Sequence, residues 1–131
     1  MQIHFMKVKL HKFEKIFNMI ARNLKEQLFY FTTKFPVVTL TGVRQCGKST
    51  LLKNSFPNYR YVSLEDPDIR QVALEDPRGF LKMYDDNTII DEAQHAPSLF
   101  SYIQTKIDDL NRKGMYILSG SQNFLLMQSI S

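Results

Sequence analysis

One eight-residue stretch limits the fold more than any other part of this sequence. Residues 42–49 read GVRQCGKS and meet the spacing G-x-x-x-x-G-K-[ST] at every fixed position. At average residue usage, this pattern should arise by chance in roughly one chain of this length in a few hundred. The apolar run VVTLT comes directly before it, and helix-forming residues follow Lys48. The stretch therefore predicts a phosphate-binding loop between a buried strand and a helix.

The residue types of this loop suit a nucleotide. Its glycines let the backbone wrap closely around an anion, and the first turn of the following helix adds partial positive charge. Lys48 is expected to bridge the β- and γ-phosphates, and the Ser49 hydroxyl is expected to ligate Mg²⁺. The predicted nucleotide-binding residues are Gly42, Arg44, Gln45, Cys46, Gly47, Lys48, Ser49 and Thr50.

A second set of polar residues follows another strand-like run. Thr88-Ile89-Ile90 is short and apolar, and Asp91 and Glu92 come directly after it. Ligands of open α/β sheets bind outside the carboxyl ends of the strands. Asp91 is therefore predicted to hold Mg²⁺, and Glu92 is predicted to polarise an attacking water as general base. An acidic turn without chemistry is the alternative.

A third strand end supplies a hydroxyl. Ser119 closes the apolar run from Met115 to Leu118 and is predicted to sense the γ-phosphate or to position the water, although such a serine is often only a turn residue. The predicted catalytic residues are thus Lys48, Glu92 and Ser119.

Strand-like and helix-like runs alternate after residue 36, which predicts β-α-β units and an α/β fold with a parallel sheet covered on both faces. The predicted strands span residues 37–41, 59–64, 88–90 and 115–119. Helices are predicted over 10–31 and 48–54, from Pro67 and Pro77 behind aspartate caps, and over 98–111 with Gly114 closing the last.

The net charge of +4 is unevenly distributed. Residues 1–35 carry a balance of +5 and residues 36–131 a balance of −1. Two domains follow: a basic segment with an amphipathic helix over 1–34, and a catalytic core over 35–131. The apolar stripe of the helix is expected to pack on the core rather than on a membrane. Nucleic-acid binding by the basic segment is an alternative that the neutral core does not support.

Composition indicates the compartment. No apolar run approaches the roughly 18 residues that span a bilayer, and the N-terminus lacks the features of a signal peptide. Cys46 is the only cysteine, so an internal disulfide is excluded, and a small spacer in the loop is expected rather than a redox sensor. A cytoplasmic protein is predicted.

The motifs together resemble the Walker-type, AAA-like ATPase domain of many bacterial and archaeal proteins. The resemblance covers roughly Ile20 to Ser131 and rests on FPVVTLTGVRQCGKSTLL, YVSLEDPDIRQVALEDPRGFL, TIIDEAQHAPSLF and YILSGSQNFLLMQSIS. It implies a P-loop NTPase with three α/β/α layers and four core strands. It also implies ATP over the loop, Mg²⁺ at Ser49 and Asp91, and a base at Glu92. GTP stays open, because nothing near the loop identifies an adenine contact.

Members of that family usually continue into a fifth strand, a helical lid and a C-terminal domain resembling restriction nucleases. This sequence stops at Ser131, so a truncated ATPase with doubtful turnover is expected, together with self-association or a missing C-terminal domain. Without the fifth strand, the strand of the loop would form an open sheet edge. The alternatives are a nucleotide-binding remnant without turnover and, ranked last, a small-molecule phosphotransferase.

Overall fold

A computed structural model of the chain describes residues 3–8, 14–42 and 47–120, and its side chains from Arg22 onward. Within these ranges the strands are β1 (Ile3–Val8), β2 (Val37–Gly42), β3 (Arg60–Ser63), β4 (Thr88–Asp91) and β5 (Tyr116–Gly120). The helices are α1 (Glu14–Lys34), α2 (Lys48–Ser55), α3 (Pro67–Glu75), α4 (Pro77–Met83) and α5 (Leu99–Leu110), and a short 3-10 turn spans Ala93–His95.

The strands form one sheet in the order β1-β2-β5-β4-β3, and all the neighbouring strands are parallel. This arrangement confirms the predicted α/β class, and the four predicted strands lie within a residue or two of their predicted positions. Because all the strands run the same way, the ends of β2, β4 and β5 meet at one edge of the sheet.

The N-terminal strand β1 was not predicted. It pairs with β2 from Ile3 opposite Val37 to Val8 opposite Gly42. The expectation that β2 would form an open edge is therefore wrong, because β1 covers it. Histidine and lysine interrupt the apolar residues of IHFMKV, so the segment gives a weak strand signal, and its pairing partner lies far along the chain. The predicted domain boundary after residue 34 stays a prediction, although β1 adds N-terminal residues to the sheet.

Local capping signals set the starts of α3 and α4. The side chains of Asp66 and Asp76 accept hydrogen bonds from the backbone N–H groups of Asp68 and Gly79, both at 3.0 Å. A proline follows each aspartate, as predicted, because proline suits the first helical position.

The predicted span of α5, residues 98–111, agrees with the structure to within a residue at each end, but Asn111 rather than Gly114 is its C-terminal cap. Its left-handed backbone, with φ 51°, lets its N–H bond the carbonyl of Ile107. Asparagine tolerates this conformation better than most residues, so no glycine is needed at the end of the helix.

Successive strand side chains point to opposite faces of the sheet, and helices cover both faces. On one face α1 and α2 enclose Leu24, Leu28, Val38, Leu40, Leu52, Phe56, Ile89 and Ile117. On the other face α3, α4 and α5 bury Val37, Val62, Ala73, Phe80, Ile90, Leu99, Ile103, Ile107, Tyr116 and Leu118, among others. The second half of α1 thus packs on the domain, as expected, and the fold has three layers.

Candidate functional site

The carboxyl ends of β2, β4 and β5 carry the predicted site. Gly42 is the last residue of β2, Asp91 is the last residue of β4, and Ser119 lies one residue before the end of β5. These strands are neighbours in the sheet, so residues from distant parts of the sequence lie side by side. Arg44, Gln45 and Cys46 fall outside the described residues, and their predicted roles stay predictions.

The loop leads into α2 through a glycine. Gly47 is the N-terminal cap residue of α2 and has a left-handed backbone, with φ 83°. Glycine adopts this conformation without the steric penalty of a Cβ atom. Lys48 follows with only 5% of its surface exposed, while Thr50 is exposed on the first helical turn. The first turn carries no acidic side chain of its own, and the two carboxylates that approach it, Asp91 and Glu92, come from the end of β4 and the residue after it.

Asp91 is the centre of the arrangement. It is 2% exposed. Its Oδ2 accepts hydrogen bonds from the hydroxyls of Ser49 and Tyr61. Its Oδ1 accepts from the Ser119 hydroxyl at 2.6 Å and from the Glu92 backbone N–H at 2.9 Å. Side chains from three different elements and one backbone N–H thus converge on one buried carboxylate.

These contacts keep Asp91 ionised. Burial alone would raise the pKa of this carboxyl, but hydrogen bonds from Ser119, Ser49 and Tyr61 and the positive charge of Lys48 outweigh it, and the pKa is lowered. Burial, followed by the bond to Asp91, raises the pKa of Tyr61 to about 12, so its phenol stays a donor at neutral pH. An ionised carboxylate beside a serine hydroxyl offers the hard oxygen ligands that suit Mg²⁺.

Glu92 lies beside this centre in a different conformation. Its backbone is left-handed, with φ 54°, where β4 gives way to the 3-10 turn. Its Oε1 lies 3.8 Å from Lys48 Nζ, and its side chain is 12% exposed. Its Oε2 accepts a hydrogen bond from Gln94 Nε2 at 2.6 Å. Lys48, the predicted phosphate ligand, and Glu92, the predicted base, thus face one another.

A second titratable pair flanks Glu92. His95 Nε2 lies 3.3 Å from Glu65 Oε2, and Glu65, Glu92 and His95 each bring one ligand atom within 4.8 Å of the others. The predicted magnesium ligands, Ser49 and Asp91, are not members of this group, and their role as metal ligands stays a prediction.

Two residues of this site were missing from the sequence prediction. Tyr61 reads as an ordinary strand residue. Its pairing with Ile89 places it two residues from Asp91, and the hydrogen bond from its phenol shows that it reaches that carboxylate. Gln94 stands two residues after Glu92, and that short spacing is the one signal that could have suggested a contact.

The geometry agrees with comparisons to known proteins. The family described as "AAA domain" matches residues 34–131. The chain belongs to this AAA domain family. Membership makes the chain a nucleotide-binding domain of the ATPase type, as the loop and the two carboxylates suggest.

Similar proteins occur in mycobacteria. One uncharacterised protein of Mycobacterium bovis and one of Mycobacterium tuberculosis are each 35% identical to this AAA domain over 89 residues, which is 66% of this chain. The match covers 20% of the length of each relative, so the chain spans about a fifth of these proteins. No solved structure matches the chain. Within the described residues, no helix is both long and apolar enough to cross a bilayer.

Proposed function

We propose that the chain binds ATP together with Mg²⁺ and hydrolyses it to ADP and phosphate. The observation that carries this proposal is the meeting of two motifs that lie 42 positions apart along the chain. The Ser49 hydroxyl donates to Asp91, and Lys48 Nζ lies 3.8 Å from Glu92 Oε1. Membership of a family of nucleotide-binding domains supports the same reading.

Phosphate binding is assigned to the loop and to Lys48. Backbone N–H groups at the start of α2 have no partner within the helix and can donate to phosphate oxygens. Lys48 is nearly buried, so its charge is weakly screened by solvent and acts strongly on the β- and γ-phosphates. Its contact with Glu92 is longer than a hydrogen bond, so this contact does not occupy any of its three donors.

Metal binding is assigned to Ser49 and Asp91. The lowered pKa of Asp91 keeps its carboxylate charged and ready for a cation. A bound Mg²⁺ would neutralise charge on the phosphate oxygens and so favour the displacement. Ser119 would act on this step through Asp91, because its hydroxyl contacts Oδ1 of that carboxylate rather than the Glu92 side chain.

Glu92 is assigned the role of general base. When water attacks the γ-phosphorus, the bond to the bridging oxygen breaks and a water proton passes to the carboxylate. Its Oε1 is the oxygen that faces Lys48, and therefore the phosphates that Lys48 would hold. Low solvent exposure shields this carboxylate from bulk water.

Calorimetry of ATP binding with Mg²⁺, run beside an assay of phosphate release, tests the proposal. Lys48→Ala should abolish binding, and Glu92→Gln should keep binding but lose release. Lys113→Ala and Glu75→Gln are matched controls, because both residues are exposed and lie outside the site. The same titration with GTP measures the base preference.

Binding that survives Lys48→Ala, or release that survives Glu92→Gln, would refute the assigned roles. Binding by the unmodified chain without any release would instead identify a nucleotide-binding domain that does not turn over by itself.

A further inference from the structure

Gln94 holds one oxygen of the proposed base. It lies in the 3-10 turn that follows β4, and its Nε2 donates a 2.6 Å hydrogen bond to Glu92 Oε2. This contact involves a charged acceptor and is short, which places it among the stronger hydrogen bonds in proteins. The side chain is therefore more than a surface amide beside the site.

The oxygen of the same amide lowers the stability of the fold. Gln94 Oε1 is buried, and within the described part of the chain it has no hydrogen-bond partner. A buried acceptor without a partner loses its hydration and gains nothing in return. A methionine of similar length would remove that cost and still fill the space. The bond to Glu92, rather than packing, accounts for an amide at this position.

The two oxygens of Glu92 therefore have different surroundings. Oε2 is held by Gln94, whereas Oε1 faces Lys48 at 3.8 Å, a distance too long for a hydrogen bond. Lys48 is also the cation that the phosphates would attract. Once Lys48 turns to a phosphate, Gln94 is the side chain in the described site that still fixes the carboxylate.

We propose that Gln94 is a positioning residue, which anchors Oε2 of Glu92 so that Oε1 points at the attacking water. This inference rests on the proposed hydrolytic function. Gln94 need not touch the nucleotide, and it acts through Glu92 alone. Its loss lets the carboxylate rotate away from the water or back toward Lys48.

Gln94→Met tests the proposal, because it keeps the length of the side chain and removes the donor. The kcat for phosphate release should fall about 10- to 100-fold, the range expected for one hydrogen bond to a charged group. The KM and the affinity for ATP should change less than about threefold, because the substitution removes no contact with the bound nucleotide. The melting temperature should fall only slightly, because removal of the buried, unpaired Oε1 offsets part of the lost hydrogen bond to Glu92.

Gln71→Met is the matched control. Gln71 Nε2 also donates to a glutamate, Glu75 Oε1, at 3.1 Å, but this pair lies exposed on α3. All three readouts should stay at wild-type values. An unchanged kcat in Gln94→Met, or a loss of ATP affinity as large as the fall of kcat, would overturn the proposal, because Gln94 would then act on folding or binding rather than on the position of Glu92.

A double variant tests whether Gln94 acts through Glu92. In a Glu92→Gln background, Gln94→Met should cause no further loss of kcat, since the carboxylate that it positions has gone. A full additional loss in that background would show an independent role and refute the inference.

A nuclear magnetic resonance measurement separates this inference from the hydrolytic proposal. The side-chain amide signals that vanish in Gln94→Met identify Gln94. In the wild-type chain these protons should exchange slowly with solvent, and Glu92→Ala should speed their exchange. Fast hydrogen exchange of the Gln94 amide in the wild-type chain would refute the contact with Glu92, whether or not the chain releases phosphate. Slow exchange without phosphate release would retain the contact and reject hydrolysis.

Discussion

Replacing Ser119 with alanine removes the hydroxyl that donates a hydrogen bond to Asp91 and leaves the rest of the side chain in place. Ser119 is fully buried on β5, and its 2.6 Å bond reaches a carboxylate that is 2% exposed. Water cannot easily replace the lost donor at such a site. A hydrogen bond to a charged group contributes about 1.5–3 kcal/mol. Because Oδ1 keeps the Glu92 N–H at 2.9 Å, we expect a loss near the lower end, about 2 kcal/mol.

For a domain of this size, that loss should lower the melting temperature by roughly 6–10 °C. Urea unfolding at pH 7, followed by circular dichroism with EDTA and without nucleotide, gives the free energy of unfolding directly. Ser98→Ala is the matched control, since Ser98 is exposed and its side chain makes no cap hydrogen bond. It should change stability by less than about 0.5 kcal/mol.

The pH dependence tests the electrostatic part of the argument. The pKa of Asp91 is lowered in the folded state, so its ionised form stabilises the fold above the unfolded value of 3.8, and this stabilisation is lost as pH falls through the folded pKa. The alanine variant has less of this stabilisation to lose. The difference between wild type and variant should therefore be full at pH 7 and shrink below about pH 4.

Two results would refute this reasoning. A cost at pH 7 no larger than that of Ser98→Ala would mean that the Ser119 bond adds nothing to the buried carboxylate. A large cost that stays constant from pH 7 down through the acid unfolding transition would mean that lost packing, rather than lost charge stabilisation, explains it.

Three further substitutions are predicted from single contacts. Gly47→Ala should cost about 1–2 kcal/mol and weaken ATP binding in calorimetry, because alanine disfavours a φ of 83°. Gly114→Ala should cost at least about 2 kcal/mol in urea unfolding, because its φ is +63° and an added Cβ would lie 2.7 Å from the Tyr59 hydroxyl. Tyr116→Phe should lower stability by about 1–3 kcal/mol, since it leaves the ammonium of Lys106 without a 3.0 Å partner. A variant whose melting temperature stays within about 1 °C of wild type would contradict the argument for its position.

Local chemistry made much of the fold predictable. An aspartate followed by proline starts a helix at residues 66 and 76 because its cap bonds close within three residues. The loop at 42–49 and the carboxylates at 91–92 follow buried strands, and parallel strands bring such ends together without knowledge of the register. The contact between Lys48 and Glu92 is a consequence of that topology.

The remaining features depend on distant partners. β1 owes its structure to pairing with β2, so the mixed pattern of IHFMKV could not reveal it. Tyr61 reaches Asp91 because of the register between β3 and β4, which no local spacing encodes. Gln94 can reach Glu92 because Glu92 has a left-handed backbone at the start of the 3-10 turn. Glutamate rarely adopts this conformation, so the sequence does not predict it.

The strand order also has a consequence for the time course of folding. β2 lies between β1 and β5, and Val37 pairs both with Ile3 and with Tyr116, so its two neighbours come from opposite ends of the described chain. Contacts between such distant residues require large loops to close first, and domains dominated by them fold slowly. During synthesis, Lys48 and Ser49 leave the ribosome well before Asp91 and Ser119. The buried carboxylate centre can therefore form only when β5 docks beside β2.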